Sequence, residues 1–562
     1  MSPWFSRMLF AVLRYRWWWA VVLLIATLFG AYQTATQLRI DNSVSIWFLE
    51  DNPAYRSYLD FQHERGSDEI VIVMWSVDSA LDRKHQQLLR QLHAVVDSLP
   101  GVHATFSLAN ARYPVYAGRR LFYRPIYAPG RTAEQVDRLL RELPAIRHQL
   151  IGPEGKHLFF YVQLDPTDEL EAARNTIVSG VAAAITTRVP AACISGQPIL
   201  NEAFNASIYQ ESTFFATATV VVIFVLLFFL LPHWYYLPIA LASVVVPTSI
   251  LMGSMMTLGY SLNLISMLIP TILMVYSVSD AVHIINIFSQ EAQRSPTADR
   301  EQLIAQALWH SLRPCFYTTL TTVIGYLALI RSPLPAFQIM GLFTFVGMTM
   351  AFVVVYLITT IGFSMLPHIS ALGIKGGGQA TAQRGLLQAM VNRINGWTSQ
   401  RAGLILGTAA LLGVLGLASL TRLEVNTDSL HLLGEGPAKA DLYTIEEVLG
   451  GNARFQLNIA HRQDSSMLQR AVLDSLAAFQ AFVEQHPQLA TPVSLINFRN
   501  FLQARSNPLA IFNPINTADL LALTPDAEPA FFSLIAPDQS ALSISVHVRE
   551  LETRQLERLL DE

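Results

Sequence analysis

Of the 562 residues, 52% are hydrophobic and only 14% are charged. That balance describes a chain that is part membrane and part globular, which excludes an ordinary soluble enzyme. The formal net charge of −4, with no basic run to overturn it, excludes a nucleic-acid partner.

In chain order, residues 1–16 carry Arg7, Arg14 and Arg16 ahead of an apolar stretch at 17–36. That stretch begins Trp17-Trp18-Trp19, an aromatic belt of the kind found at a membrane interface. A cleaved signal peptide is the weaker reading, because the following AYQTATQL fits a small-residue cleavage site poorly. Further stretches long enough to span, by the rule of about 20 residues, fall at 213–231, 236–258, 262–288, 314–331, 337–367 and 403–421. With seven spans, three basic groups share one side, which is predicted to be the cytoplasm. They are the N-terminal arginines, then Arg294, Arg300 and Arg313, then Lys375, Arg384, Arg393 and Arg401 in a linker at 368–402. Residues 37–212 and 422–562 then share the opposite face. Cys193 and Cys315 fall in an extramembrane and a membrane stretch respectively, so no disulfide is expected.

Within 37–212, Glu69–Trp75, Val102–Leu108, His157–Leu164 and Cys193–Gly196 read as strands, and 81–98 and 168–188 as helices. The alternation predicts an α/β sandwich with helices on one face of a mixed sheet. The same segment is repeated. LRIDNS at 38–43 matches LEVNTDS from 423, and Asn52-Pro53 matches Gly436-Pro437. TFSLAN at 105–110 matches PVSLIN at 492–497, and LIGPEG at 150–155 matches LIAPDQ at 534–539. All four matches are offset by 384 to 387 residues, in one order, so 422–562 is predicted to open a second, incomplete copy of the first unit.

The fourth predicted span carries Asp280 just past its middle. A carboxylate there is costly to insert, so it is rarely kept without a use. Tyr276, Asp280 and His283 stand at i−4, i and i+3, on one face of a helix, and could together carry a proton. A neighbouring helix that holds the acid for packing specificity is the alternative. Pro270 is expected to break the helix and bend the span. Thr318, Thr319, Thr321 and Thr322 crowd the fifth span and could hydrogen-bond Asp280 across the helix interface, or satisfy their own backbone. Gly341 and Gly347 suit close helix packing. Residues 298–313, with Trp309, His310 and Arg313, read as a helix lying along the membrane surface. His85, His93, His103 and His157 are too scattered to hold a metal and read as ordinary surface or core residues. Ser195-Gly196 lacks the elbow spacing of a hydrolase, and no glycine loop could cradle a phosphate. Neither an enzyme activity nor a cofactor is expected.

One span, a large extracytoplasmic α/β domain and five more spans, followed by the same opening again, resembles the resistance-nodulation-division (RND) superfamily over the whole chain. SGQPILNEAF at 195–204 is similar to the family's lead into its second span. LGYSLNLISMLIPTILMVYSVSDAVHIINIF is similar to its fourth span, and SLRPCFYTTLTTVIGYLAL at 311–329 to its fifth. Asp280-Ala-Val-His283 resembles the Asp-x-x-His pattern of the MMPL and Patched-like branch; the multidrug efflux branch keeps two adjacent acids where this chain has Ser279-Asp280.

The resemblance implies a polytopic α-helical membrane protein with ferredoxin-like, porter-type extracytoplasmic domains. It further implies a proton-motive-force-driven exporter of lipids or other hydrophobic molecules in a bacterial inner membrane, with its N-terminus cytoplasmic and its large domains periplasmic. Asp280 would carry the proton, and His283 and Tyr276 would tune it or relay the proton. A periplasmic partner protein and a homo-oligomer, dimer or trimer, are further expectations. Sterol-sensing relatives in the superfamily suggest the alternative, a non-transporting lipid- or sterol-sensing scaffold or receptor.

Overall fold

The computed structural model describes residues 3–42, 48, 52–65, 69–117, 120–128, 130–165, 171–295, 298–366, 389, 392–420, 434–451, 453–460, 469–486, 489–490, 492–505, 534 and 541–548. The repeat segments 423–429 and 535–539 and most of the linker 368–402 lie outside them. The chain opens with α1 (Pro3–Arg14) and α2 (Arg16–Gln37). Next come α3 (Pro53–Arg65), β1 (Ile70–Ser76), α4 (Arg83–Val96), β2 (Val102–Ser107), β3 (Arg112–Ala117) and β4 (Arg120–Pro125). They are followed by α5 (Ala133–Arg141), α6 (Pro144–Ile151), β5 (His157–Leu164), α7 (Glu171–Thr186) and β6 (Cys193–Ser195). The long helices are α8 (Gln197–Leu230), α9 (Leu237–Thr257), α10 (Leu268–Arg294), α11 (Arg300–Leu329) and α12 (Pro335–Met365). After α13 (Ala402–Ser419) come α14 (Pro437–Leu449), β7 (Ala453–Ala460), α15 (Arg470–Gln485), α16 (Leu495–Arg505) and β8 (Ala541–Val548). These elements form two compact units, 1–49 with 208–425 and 50–207 with 426–562.

In the first unit, α2, α8, α10, α12, α13 and the segment Trp234–Thr257 are long and apolar enough to cross a bilayer, six helices among the described residues. Helix α11, which contains the predicted span 314–331, is not one of the six. Arg313, Pro314 and the four threonines dilute its apolar character. Nor is 298–313 a separate helix on the membrane surface: it is the first half of α11, continuous through Pro314. Leu303, Ile304, Ala307 and Leu308 are buried in the helix core, and Trp309 meets Phe5 of α1 edge-on at 5.2 Å. Helices α2 and α9 meet at two glycines: a side chain at either Gly30 or Gly253 would run into the partner's backbone. Gly341 and Gly347 likewise let α12 close onto Tyr326–Ile330 and onto Leu251.

The second unit contains a four-stranded sheet in the order β2-β5-β1-β6. It is antiparallel throughout, which corrects the expected mixed sheet. Helices α4 and α7 cross over between parallel strands, β1 to β2 and β5 to β6, and each pair takes a strand of the other between its two members, so neighbouring strands run in opposite directions. Strand β1 is buried on both sides. One side faces the core of Leu89, Leu92 and Val181, and the other meets Ile445 and Leu449 of α14. This double cover is why IVIVMW at 70–75 is an unbroken apolar run rather than an alternating one. Glycine is required at 196, where φ is +111° and an added Cβ would strike the Ile70 carbonyl. The hairpin β3–β4 and the helices α5 and α6 lie between β2 and β5, where no element was predicted.

The repeat extends to strand register. Ile70 pairs with Gln163 and Ser76 with His157. The residues 384 positions later pair identically, Arg454 with His547 and Ala460 with Ala541. Helix α14 stands 384 residues after α3. The bridge between Phe106 and Tyr161 recurs as Val493 with Ser545.

Candidate functional site

The first unit brings α10, α11 and α12 together around Asp280. Helix α10 starts at Leu268, after a turn in which Asn263 Oδ1 accepts from Ser266 N at 2.8 Å and from Ile265 N at 3.0 Å. Pro270 therefore sits in the first helical turn, where an N–H has no intrahelical acceptor anyway. It helps to start α10 and does not break it, which corrects the expected bend.

Asp280 is 4% exposed, and its Oδ2 has no hydrogen-bond partner among the described residues. The side chains that act on the carboxyl are Tyr276, one turn earlier, Cys315 of α11, and His283, three residues later. Tyr276 is half-buried, and its hydroxyl lies 2.5 Å from Thr319 Oγ1. Thr319 also donates to the Cys315 carbonyl at 2.6 Å, so the Tyr276 hydroxyl donates to Thr319 while that bond is kept. His283 is exposed on the far flank of α10, so the three residues predicted on one face are split between a buried pair and a surface imidazole.

Of the four threonines, Thr319 alone is buried and faces α10, where it meets Tyr276. Thr318, Thr321 and Thr322 donate to carbonyls of their own helix, at 2.8 to 3.1 Å. Cys315 is a member of the cluster that sequence reasoning passed over. It stands one helical turn before Thr319 and is buried. One turn further back, Ser311 lies 3.1 Å from the Tyr356 hydroxyl of α12. The spacing 311, 315, 319 is a polar stripe along α11, and that stripe was the available signal. Ser277 and Thr344 are also buried, with hydroxyls lacking a partner among the described residues. Most hydroxyls of these helices instead return to the carbonyl three or four residues earlier. No group of three metal-ligating side chains occurs among the described residues.

An acid, a phenol, a thiol and two hydroxyls, enclosed by three helices, can hold and pass a proton. Among families of known proteins, the MMPL family matches residues 55–400, more than half of the chain. A comparison with curated proteins gives no match. The matched region runs from α3 to beyond α12 and includes the Asp280 cluster, and the chain therefore belongs to the MMPL family, membrane transporters of the RND superfamily.

Proposed function

We propose that this protein is a proton-driven exporter of lipids or other hydrophobic molecules in a bacterial inner membrane, and that Asp280 is its proton carrier. The observation that supports this most is the buried carboxyl with an unpartnered oxygen halfway along α10. A charged aspartate at that depth costs about 2.5–3.5 kcal/mol on insertion scales. Binding a proton removes the charge, and with it the cost of moving α10 against α11 and α12. Two helix arrangements that differ in how they solvate Asp280 would then be exchanged by protonation, which is the coupling a transporter needs. Tyr276 and Thr319 offer the hydrogen-bonded exit from the carboxyl.

The chain order β1-α4-β2-β5-α7-β6 with strand order β2-β5-β1-β6, and an inserted hairpin, fits a ferredoxin-like domain of the porter type. Between it and its repeat lies a narrow, mainly apolar cleft lined in part by Phe106, Ile146, Val493 and Phe498. Arg7 and Arg14 before α2, and Arg16 at its start, favour a cytoplasmic N-terminus, with α11 as a further span. The test is Asp280→Asn in the native cell. Lipids released by the cells are expected to fall to the level of a deletion strain while the membrane level of the protein holds. Normal release from that variant would overturn the proposal.

A further inference from the structure

The first α/β module encloses a histidine whose counterpart in the second module cannot titrate. His93, on α4, stacks obliquely on Phe160 of β5 with ring centroids 4.9 Å apart. Its Nδ1 lies 2.5 Å from Thr105 Oγ1 and its Nε2 lies 2.8 Å from Ser107 Oγ, both on β2. The Thr105 hydroxyl donates to Asp97 Oδ1 at 2.6 Å, so its oxygen must accept from Nδ1–H. Ser107 Oγ accepts from Ala109 N at 3.2 Å, which leaves its own proton for Nε2. A neutral ring protonated at Nδ1 satisfies all of these bonds. A second ring proton would face the Ser107 hydroxyl donor to donor.

Asp97, at the C-terminal end of α4, is the one charged group that acts on the ring among the described residues. Strand β2 presents hydroxyls, β5 presents Phe160, and α7, packed on α4, brings no charge that acts on it. In the second module, 387 residues later, the corresponding positions hold Gln480, Glu484 and Ser494. Gln480 accepts from the Ser494 hydroxyl and donates to Glu484 Oε1 at 2.8 Å. The adjoining turn is the same in both modules: Ser107 N to Asn110 Oδ1 and Ser494 N to Asn497 Oδ1 are each 2.8 Å. An amide therefore fastens helix to strand in one module, and an imidazole does so in the other.

Successive residues of a strand point to opposite faces. Thr105 and Ser107 face α4, while Phe106 between them lines the cleft with Ile146, Val493 and Phe498. We propose that His93 is an acid-responsive latch: a proton on its ring unseats α4 from β2 in the first module alone, and loosens the strand that carries Phe106 to the cleft. Burial already holds the ring below the ordinary histidine value of 6.5, against a smaller opposing pull from Asp97. The unfolded module therefore takes up the proton first as pH falls, so the stability this network contributes is full at neutral pH and is lost progressively as pH falls below about 6.5. A gating role for this latch rests on the transport reading; the latch itself does not.

The test is hydrogen–deuterium exchange of the full chain in bilayer discs at about pH 7.5 and about pH 5.5, on either side of the ordinary histidine value. Rates are corrected for intrinsic exchange. Segment 83–107 is expected to exchange faster in acid, by up to about tenfold for each unit the folded ring lies below the unfolded one. Segment 470–497 is expected to stay unchanged, and His93→Gln, which installs the second module's own residue type, to abolish the response. An equal response of both modules, no response in either, or a response that survives His93→Gln would overturn the proposal. If His93→Gln does not accumulate in the membrane, the contrast between the two modules of the unaltered protein decides alone. Neither readout involves transport, so failure of the exporter reading would leave this result standing.

Discussion

The contact between α2 and α9 makes a quantitative prediction. A Cβ added at Gly253 would lie 2.8 Å from the Gly30 carbonyl oxygen, 2.9 Å from its carbon, and nearer still to its Cα. Carbon atoms rest about 3.5–4.0 Å apart, so Gly253→Ala must push the two helices apart by roughly 1 Å. The obstacle is backbone and has no rotamer to escape into. A gap of that size forfeits about a quarter to a half of each dispersion well along the seam. Overpacking of this kind costs about 1–3 kcal/mol, which should lower the thermal midpoint by roughly 2–4 °C per kcal/mol. The assay is thermal unfolding of the purified protein in detergent, with Gly325→Ala as internal control. Among the described residues, nothing lies within 4 Å of a Cβ at Gly325. That change should be neutral or stabilise by less than about 1 kcal/mol, since alanine outranks glycine in helices. Equal stability of the two variants would refute the close helix contact.

Other positions give further tests. Ile445 is 1% exposed against the first module's sheet, so Ile445→Ala should cost about 2–5 kcal/mol and increase proteolysis within 50–207; unchanged digestion would count against that seating. Ser494→Ala leaves Gln480 Oε1 and the Ile496 N–H without their partner and should cost about 1–3 kcal/mol in chemical denaturation, and a loss below about 0.5 kcal/mol would argue against the buried bond. Burial, and then the neighbouring Asp441 carboxylate, push the Cys193 thiol above its ordinary 9.0. Alkylation of Cys193 should therefore lag behind that of a free thiol at mildly alkaline pH, and Asp441→Asn should speed it by favouring the thiolate; no acceleration would remove Asp441 as a cause. Tyr276→Phe deletes the bond to Thr319 and should cost about 1 kcal/mol of stability while slowing proton transfer, so transport at the unaltered rate would exclude the phenol from the relay.

Much of the fold could be read in the sequence because it is local. The apolar runs and arginine clusters mark the helices of the first unit, and EIVIVMW and HLFFYVQL mark β1 and β5. The hairpin β3–β4 was illegible because RYPVYA and RLFYRP carry proline and arginine within short strands that, among the described residues, pair only with each other. The site was legible in part. Spacing on one helix linked Tyr276 to Asp280, but could not say that His283 would be left exposed or that Thr319, among four threonines, would face α10. Those outcomes depend on the rotation of one helix against another, which periodicity does not fix. The His93 network joins residues 12 and 14 apart across a helix and a strand. Scatter spoke against a metal there, yet the repeat offset of 387 aligns His93 with Gln480, Asp97 with Glu484 and Ser107 with Ser494, and that alignment was the signal.

Asp280 is proposed to couple proton movement to transport. The most direct test is proton influx into proteoliposomes loaded with a pH-sensitive dye, driven by an imposed pH gradient, with a total membrane lipid extract as the substrate source. The unaltered protein should carry protons above the rate of empty vesicles, and Asp280→Asn, reconstituted in equal amount, should fall to the empty-vesicle rate. Proton influx through Asp280→Asn equal to that of the unaltered protein would contradict the claim.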